Sequence, residues 1–390
     1  MTAAKGFVAG GMECGIRGSG RRDLGLLLSE RECVAAAVFT RNALKAAPLA
    51  VTREAVGTGR GVRAVVVNSG NANAATGRKG LEDAYLMQAL AAEALGIEAG
   101  GVAVASTGVI GEHLPMGRIS SGIESVELGR DGAGFAEAIL TTDTRTKEVA
   151  AQVEIGGKTA TVGGAAKGSG MIHPNMGTML AFLTTDAAVE KEALQLTLSG
   201  VTDRTFNRVT VDGDTSPSDL AILMANGAAG NDTLTLDSPD YPAFAAAVEE
   251  VARSLAKEIA RDGEGATKLF EVVVEGAEDE ASAAALARSV VGSNLVKAAV
   301  FGEDANWGRV LTAMGYSGVS FDPDEVELWF GSVKVFEGGP VAHEVAEANA
   351  ALASGEVRIT GRLGEGAASA TAWGCDLTYE YVRINGSYRT

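Results

Sequence analysis

Residues 167–186 read KGSGMIHPNMGTMLAFLTTD, a Gly-rich, proline-bearing turn placed directly before a threonine that opens an apolar run. Two readings of that threonine fit the pattern. A β-branched residue suits the start of a strand, and that is the commoner reason to find one there. Alternatively, a cut between Gly177 and Thr178 would leave Thr178 with a free α-amino group beside its hydroxyl. Such an amine has a reference pKa of about 7.7–8.0, close enough to neutrality to serve as general base. Threonine paired with its own terminal amine is an established nucleophile arrangement. The same hydroxyl would make the cut, with Thr178 Oγ attacking the carbonyl carbon of Gly177 and water hydrolysing the resulting ester. On the residues alone, the strand reading is the stronger.

Commoner machinery is poorly supplied. IGGKTA (155–160) resembles the end of a phosphate-binding loop, but Gln152 stands where that motif needs its first glycine, and the segment lies in a hairpin pattern. KGSG (167–170) lacks the full dinucleotide fingerprint. The histidines are His113, His173 and His343, none at metal-ligand spacing, and His173 in its turn reads as a surface residue before it reads as a base. No GxSxG marks a nucleophile elbow, although its absence does not remove a Ser-His-Asp triad. VDGDTSPSD (211–219) is rich in carboxylates; it reads as a structural turn, with no metal expected.

The elements that must position these residues are mixed along the chain. GVRAVVVNSG (61–70), VAVAS (102–106), TMLAFLTTDA (178–187) and KLFEVVVEG (268–276) read as strands. EVAAQVEIGGKTATVGG (148–164) and VELWFGSVKVFEGG (326–339) read as hairpins. Helical spacing marks 81–96, 279–293 and 341–355, and most clearly 241–263, where Phe244, Val248, Val251, Leu255 and Ile259 share one face before Gly263. LTYEYVRING (377–386) alternates and reads as a late strand. With no linker or repeat, the expectation is one intertwined α/β protein of the α+β type, with helices packed on mixed sheets.

Composition narrows the partners. The hydrophobic content of 46% and charged content of 21% are those of a globular chain, and 390 residues supply ample core. A net charge of −17 argues against nucleic acid as partner, while leaving room for a local basic pocket. No apolar run reaches the roughly 18–20 residues of a membrane span, and the N-terminus lacks the apolar core of a signal peptide. Cys14, Cys33 and Cys375 are odd in number and widely spaced, which suits a reducing compartment. A cytoplasmic protein is expected.

The junction segment KGSGMIHPNMGTMLAFLTTDA resembles the self-cleavage segment of the ornithine acetyltransferase family, the glutamate N-acetyltransferases of arginine biosynthesis. Family members usually carry Ala-Thr at the cut, and here Gly177-Thr178 stands in its place. Further blocks follow in the family's order: KGFVAGGMECGIRGSGRRDLGLL (5–27), FTRNALKAAPL (39–49), VVNSGNANAATG (66–77), ASTGVIG (105–111), FNRVTVDGDTSPSD (206–219), RDGEGATKL (261–269), FGEDANWGR (301–309) and NGSYRT (385–390). Each short Gly-rich piece is weak alone; together they span essentially the whole chain.

The resemblance implies a fold cut into residues 1–177 and 178–390, which form one intertwined unit and pair as a heterotetramer of two of each. It implies Thr178 as nucleophile, with its α-amine as base, and Thr107 and Gly108 as the oxyanion hole. Thr141, Lys167, Thr178, Glu264, Asn385 and Thr390 match its substrate-binding positions. The blander expectations are a strand-ending turn at STG, a helix cap at TTDT (141–144), a solvated Lys167, a surface Glu264 and a frayed C-terminus. The implied activity is ping-pong transfer of acetyl from N²-acetylornithine to glutamate through acetyl-Thr178. No cofactor or metal takes part; acetyl-CoA is an additional donor in bifunctional members, the type favoured here by the similarity of the junction. A monofunctional transferase restricted to acetylornithine, a self-processing aminopeptidase or amidohydrolase of related fold, and a Gly-rich binding protein that is never cut are the alternatives.

Overall fold

The computed structural model describes every residue except 19, 60, 174–178, 365 and 388–390. Gly177, Thr178 and Thr390 therefore lie outside the described residues.

The strand Leu180–Thr185 shows why its run looked continuously apolar. Leu180 and Phe182 point into one core, while Ala181 and Leu183 point into another. A strand buried on both faces loses the alternation that marks a half-exposed one. Leu220–Ala225 lies parallel beside it and divides in the same way, Ile222 and Met224 to one side and Ala221 and Leu223 to the other. These two strands occupy the middle of a five-stranded sheet in the order Val34–Phe39, Leu220–Ala225, Leu180–Thr185, Lys158–Lys167, Lys147–Ile155. Strands from both sides of residue 177 thus share one sheet.

One face of that sheet packs on a four-stranded sheet, ordered Phe7–Met12, Leu24–Ser29, Ala64–Asn71, Val102–Val109. Phe7, Leu27, Val65, Val67 and Phe135 meet Leu180 and Phe182 there. The other face is covered by the helices Lys191–Arg204 and Tyr241–Arg261. The second of these buries Phe244, Val248, Val251, Leu255 and Ile259, as its spacing predicts. Each such side chain contributes about 1.5–3 kcal/mol relative to exposure. Helices Ala47–Gly57, Gly77–Leu95 and Met116–Ser125 cover the outer face of the four-stranded sheet. The result is two mixed sheets stacked between helical layers, an α/β architecture as expected.

A six-stranded mixed sheet follows in the order Val333–Glu337, Glu327–Phe330, Glu356–Arg362, Leu269–Ala277, Ala368–Cys375, Val209–Thr210. Its own core is capped by the helices Glu280–Gly292, Asn294–Phe301 and Trp307–Gly315. Asp279 starts the first of them by accepting the Ser282 N–H at 2.7 Å, a cap of the kind worth roughly 1 kcal/mol. Among the described residues, no single helix is long and apolar enough to cross a membrane.

Two expected elements differ. The helix expected over 341–355 is only Val345–Ala350, where Ala348 is the one buried residue. So small a packed face cannot hold a longer helix. The late strand expected over 377–386 is instead the helix Tyr379–Ser387. Its apolar residues Tyr379 and Val382 are largely exposed, so the alternation did not encode burial.

Candidate active site

Six of the sequence-predicted residues line one cavity of about 170 Å³: Thr107, Gly108, Thr141, Lys167, Glu264 and Asn385. They arrive from separate elements, and each is held for an identifiable reason. Thr107 and Gly108 belong to the strand Val102–Val109 itself, which extends past the turn expected at STG. Gly108 has φ +134° and lies against the backbone of Gly70 and Asn71, where a Cβ would collide. That position is closed to any side chain, so Thr107 and Gly108 stay at the cavity wall.

Lys167 ends the strand Lys158–Lys167 and is buried, contrary to the solvated side chain expected of a lysine beside a Gly-rich turn. Its Nζ donates to Thr141 Oγ1 at 2.6 Å and to Thr107 Oγ1 at 3.4 Å. Because Thr107 Oγ1 accepts there, its own hydroxyl proton is free to turn toward another acceptor. Thr141 is no helix cap. Its N–H donates to Asp143 Oδ2 at 3.0 Å, and its carbonyl accepts from Arg17 Nη2 at 2.6 Å.

Beneath Lys167 lies a buried ionic cluster that sequence reading did not find. Lys147 Nζ sits 2.7 Å from Asp143 Oδ1 and 2.6 Å from Asp262 Oδ2. Asp143 also accepts the Gly168 N–H at 2.7 Å and lies 3.8 Å from Lys167 Nζ. Asp262 accepts both the N–H and the hydroxyl of Thr144. Burial alone would raise the Asp143 carboxyl, but Lys167 and Lys147 outweigh it and hold the group far below the usual carboxylate range. For Lys167, burial dominates and lowers the ammonium, with Asp143 opposing. No spacing marks this cluster in the sequence, since Lys147 and Asp262 are brought together only by the fold.

Glu264 is buried rather than a surface charge. It follows the long helix, donates its N–H to Ser169 O at 2.9 Å, and accepts from Asn385 Nδ2 at 2.7 Å. Gly170 touches the Glu264 carboxylate so closely that a Cβ there would clash with it. The C-terminal helix explains Asn385: one turn before it, Tyr381 faces the same cavity and donates to Asp212 Oδ2 at 3.2 Å. Read as a helix, the 381/385 spacing would have exposed Tyr381 as a further lining residue. His173 is half-buried, not a free surface group, and its Nδ1 lies 3.3 Å from Thr210 Oγ1.

The described part of the site therefore pairs a cationic, hydroxyl-lined side at Lys167, Thr107 and Thr141 with an anionic side at Glu264. Such a cavity suits a small ligand that carries both signs of charge.

The ArgJ family matches residues 8–390. The arginine biosynthesis bifunctional protein ArgJ of Symbiobacterium thermophilum is 57% identical over 396 residues, covering 100% of this chain and 98% of its own. The protein of the same name from Bacillus subtilis is 51% identical over 392 residues, covering 100% and 96%. In a crystal structure of the Bacillus halodurans protein of that name, a chain matches with 47% identity and a TM-score of 0.53, spanning 54% of this chain and 100% of that one.

Proposed function

The chain belongs to the ArgJ family, and from that premise we propose that it is a bifunctional acetyltransferase of arginine biosynthesis. It moves the acetyl group of N²-acetylornithine to glutamate and also acetylates glutamate from acetyl-CoA. The observation that carries the reading is the convergence of Thr107, Gly108, Thr141, Lys167, Glu264 and Asn385 on one small cavity. The bifunctional name is shared by the relatives that cover the full chain, which favours this activity over a monofunctional transferase, an aminopeptidase or a binding protein.

In this reading Thr178 Oγ first attacks the carbonyl carbon of Gly177. The peptide bond passes to an ester, and water then releases the Gly177 carboxylate and the free Thr178 hydroxyl and amine. In the transfer itself, the α-amine of Thr178 takes the hydroxyl proton as Oγ attacks the acetyl carbon. The Thr107 hydroxyl and the Gly108 N–H stabilise the oxyanion. Collapse expels ornithine, which takes the proton, and leaves acetyl-Thr178. The amine of glutamate then attacks that ester, giving N-acetylglutamate and restoring the hydroxyl. As written, the transfer needs no cofactor, and acetyl-CoA enters as a substrate. Thr390 belongs to the proposed binding set together with Asn385. A cytoplasmic heterotetramer of two 1–177 and two 178–390 chains completes the proposal.

Replacing Thr107 by valine keeps the shape and removes the hydroxyl. Turnover is expected to fall about 10²–10³-fold with KM nearly unchanged, as for loss of one oxyanion donor. A purely structural Thr107 would leave kcat within a few-fold. The charged residues separate the two substrates. Glu264→Gln is expected to raise KM for acetylornithine about 10–100-fold while sparing glutamate, since a hydrogen bond to a charged group is worth about 1.5–3 kcal/mol. Lys167→Met, which acts beside Thr107, is expected to slow both half-reactions. Equal effects of the glutamine variant on both substrates would remove the assignment of Glu264 to the ornithine ammonium.

A further inference from the structure

The aspartates of VDGDTSPSD take no part in the chemistry above, yet two of them hold the chain on either side of the Gly177–Thr178 junction. On the near side, Asp212 Oδ2 accepts the Met171 N–H at 2.6 Å and Oδ1 accepts the Ile172 N–H at 2.9 Å. The neighbouring Val211 N–H donates to Ile172 O at 2.8 Å. On the far side, Asp219 Oδ1 accepts the Met179 N–H at 3.0 Å, and the neighbouring Leu220 N–H donates to Met179 O at 3.2 Å. The two grips repeat one pattern, a carboxylate for the N–H and the adjacent backbone N–H for the carbonyl.

The segment that supplies the grips is itself anchored. Thr40 Oγ1 donates to Ser216 O at 2.8 Å, Asn42 Nδ2 to Thr215 O at 2.8 Å, and the Ala46 N–H to Pro217 O at 2.9 Å. Met171 adopts φ +53°, a left-handed conformation that a non-glycine residue keeps only when its surroundings enforce it. Asp219 is fully buried, and its Oδ2 has no hydrogen-bond partner among the described residues.

We propose that Asp212 and Asp219 are positioning residues for self-cleavage, fixing the chain at Met171–Ile172 and at Met179 so that the Thr178 hydroxyl meets the Gly177 carbonyl. This rests on the self-processing reading above. An intramolecular attack depends on alignment, and a displacement of about 1 Å can slow such a reaction by ~10²-fold. After the cut, Asp212 ties the end of residues 1–177 to the other fragment, while Asp219 keeps the residue after the nucleophile in place for transfer.

The acceptor pattern separates this role from general stability. Burial raises both carboxyls above their ordinary range, and the backbone N–H groups they accept from oppose that rise. At Asp219 the Met179 N–H goes to Oδ1 alone, and an asparagine retains that contact. At Asp212 both oxygens accept, and an asparagine must present a donor to one backbone N–H. The test follows the uncut fraction of full-length chain by denatured intact mass over time after induction, with thermal unfolding recorded for each variant. Asp219→Leu and Asp212→Asn are expected to cleave at least about ten-fold more slowly than wild type, and Asp219→Asn within about two-fold of it. Should the leucine variant fail to fold, Asp212→Asn, a one-atom change in a half-buried loop, carries the test. Wild-type cleavage rates in folded Asp219→Leu or Asp212→Asn would overturn the positioning role, as would an Asp219→Asn variant as slow as Asp219→Leu. A wild-type chain that is itself never cut would instead overturn the self-processing reading, and the positioning role with it.

Discussion

Replacing Thr178 by alanine is expected to leave the chain uncut at 39.7 kDa and to reduce transfer by on the order of 10⁶-fold, the scale seen when a covalent nucleophile is removed. In the proposed mechanism both steps use one oxygen, so a single substitution should remove both. Without the cut there is also no free amine at residue 178, and the base is lost together with the nucleophile. Thr178→Ser separates the hydroxyl from the rest of the side chain. It should still cleave and form an acyl ester, with a change far smaller than that of alanine. Intact mass and a coupled ornithine-release assay on the three proteins check both statements. An alanine variant that is cut at the same bond would mean that another group attacks Gly177.

Replacing Asp143 by asparagine is expected to cost about 3–5 kcal/mol of stability, the range for removing one partner from a buried ion pair. Lys147 keeps Asp262, but Lys167 loses its nearest carboxylate, and the Gly168 and Thr141 N–H groups lose a charged acceptor. The wild-type contribution depends on pH in a definite direction. The folded Asp143 carboxyl titrates below its unfolded value near 3.9, so the folded state binds fewer protons in that window. Its stabilisation is fully present above about pH 4 and is lost as the pH falls through the depressed folded pKa. Denaturant unfolding at pH 7, 5 and 3 should show a constant gap between wild type and Asp143→Asn at the two higher values and a smaller gap at the lowest. A gap that does not change with pH would show that the aspartate acts through its shape rather than its charge. Because Lys167 Nζ also contacts Thr107 and Thr141, the variant should slow turnover even where it is fully folded.

Much of the scaffold was legible because burial and periodicity coincide there. The helix Tyr241–Arg261 puts its spaced apolar residues in the core, and Leu180–Thr185 is continuously apolar because both its faces are covered. Residues 377–386 show the opposite case. Their alternation looked like a strand, yet Tyr379 and Val382 face solvent, and what the helix serves is the turn from Tyr381 to Asn385 at the cavity. The site residues were legible through resemblance alone: Lys167 and Glu264 read by themselves as solvated charges, and both are buried. The groups that steady them were not visible at all. Asp262 reaches Asp143 and Lys147 from a distant segment, and the carboxylates of Asp212 and Asp219 look like ordinary turn residues until their backbone partners are known. A linear pattern records periodicity and local turn chemistry, but not which distant N–H a carboxylate will accept.

The proposed mechanism requires a free amino-terminal Thr178 that carries the acetyl group. The most direct measurement is the denatured intact mass of the purified protein before and after incubation with N²-acetylornithine. Two species meeting at Gly177/Thr178 are expected, with one acetyl group added to the second after incubation and removed again by glutamate. A single 39.7 kDa chain that gains no acetyl group would contradict that mechanism.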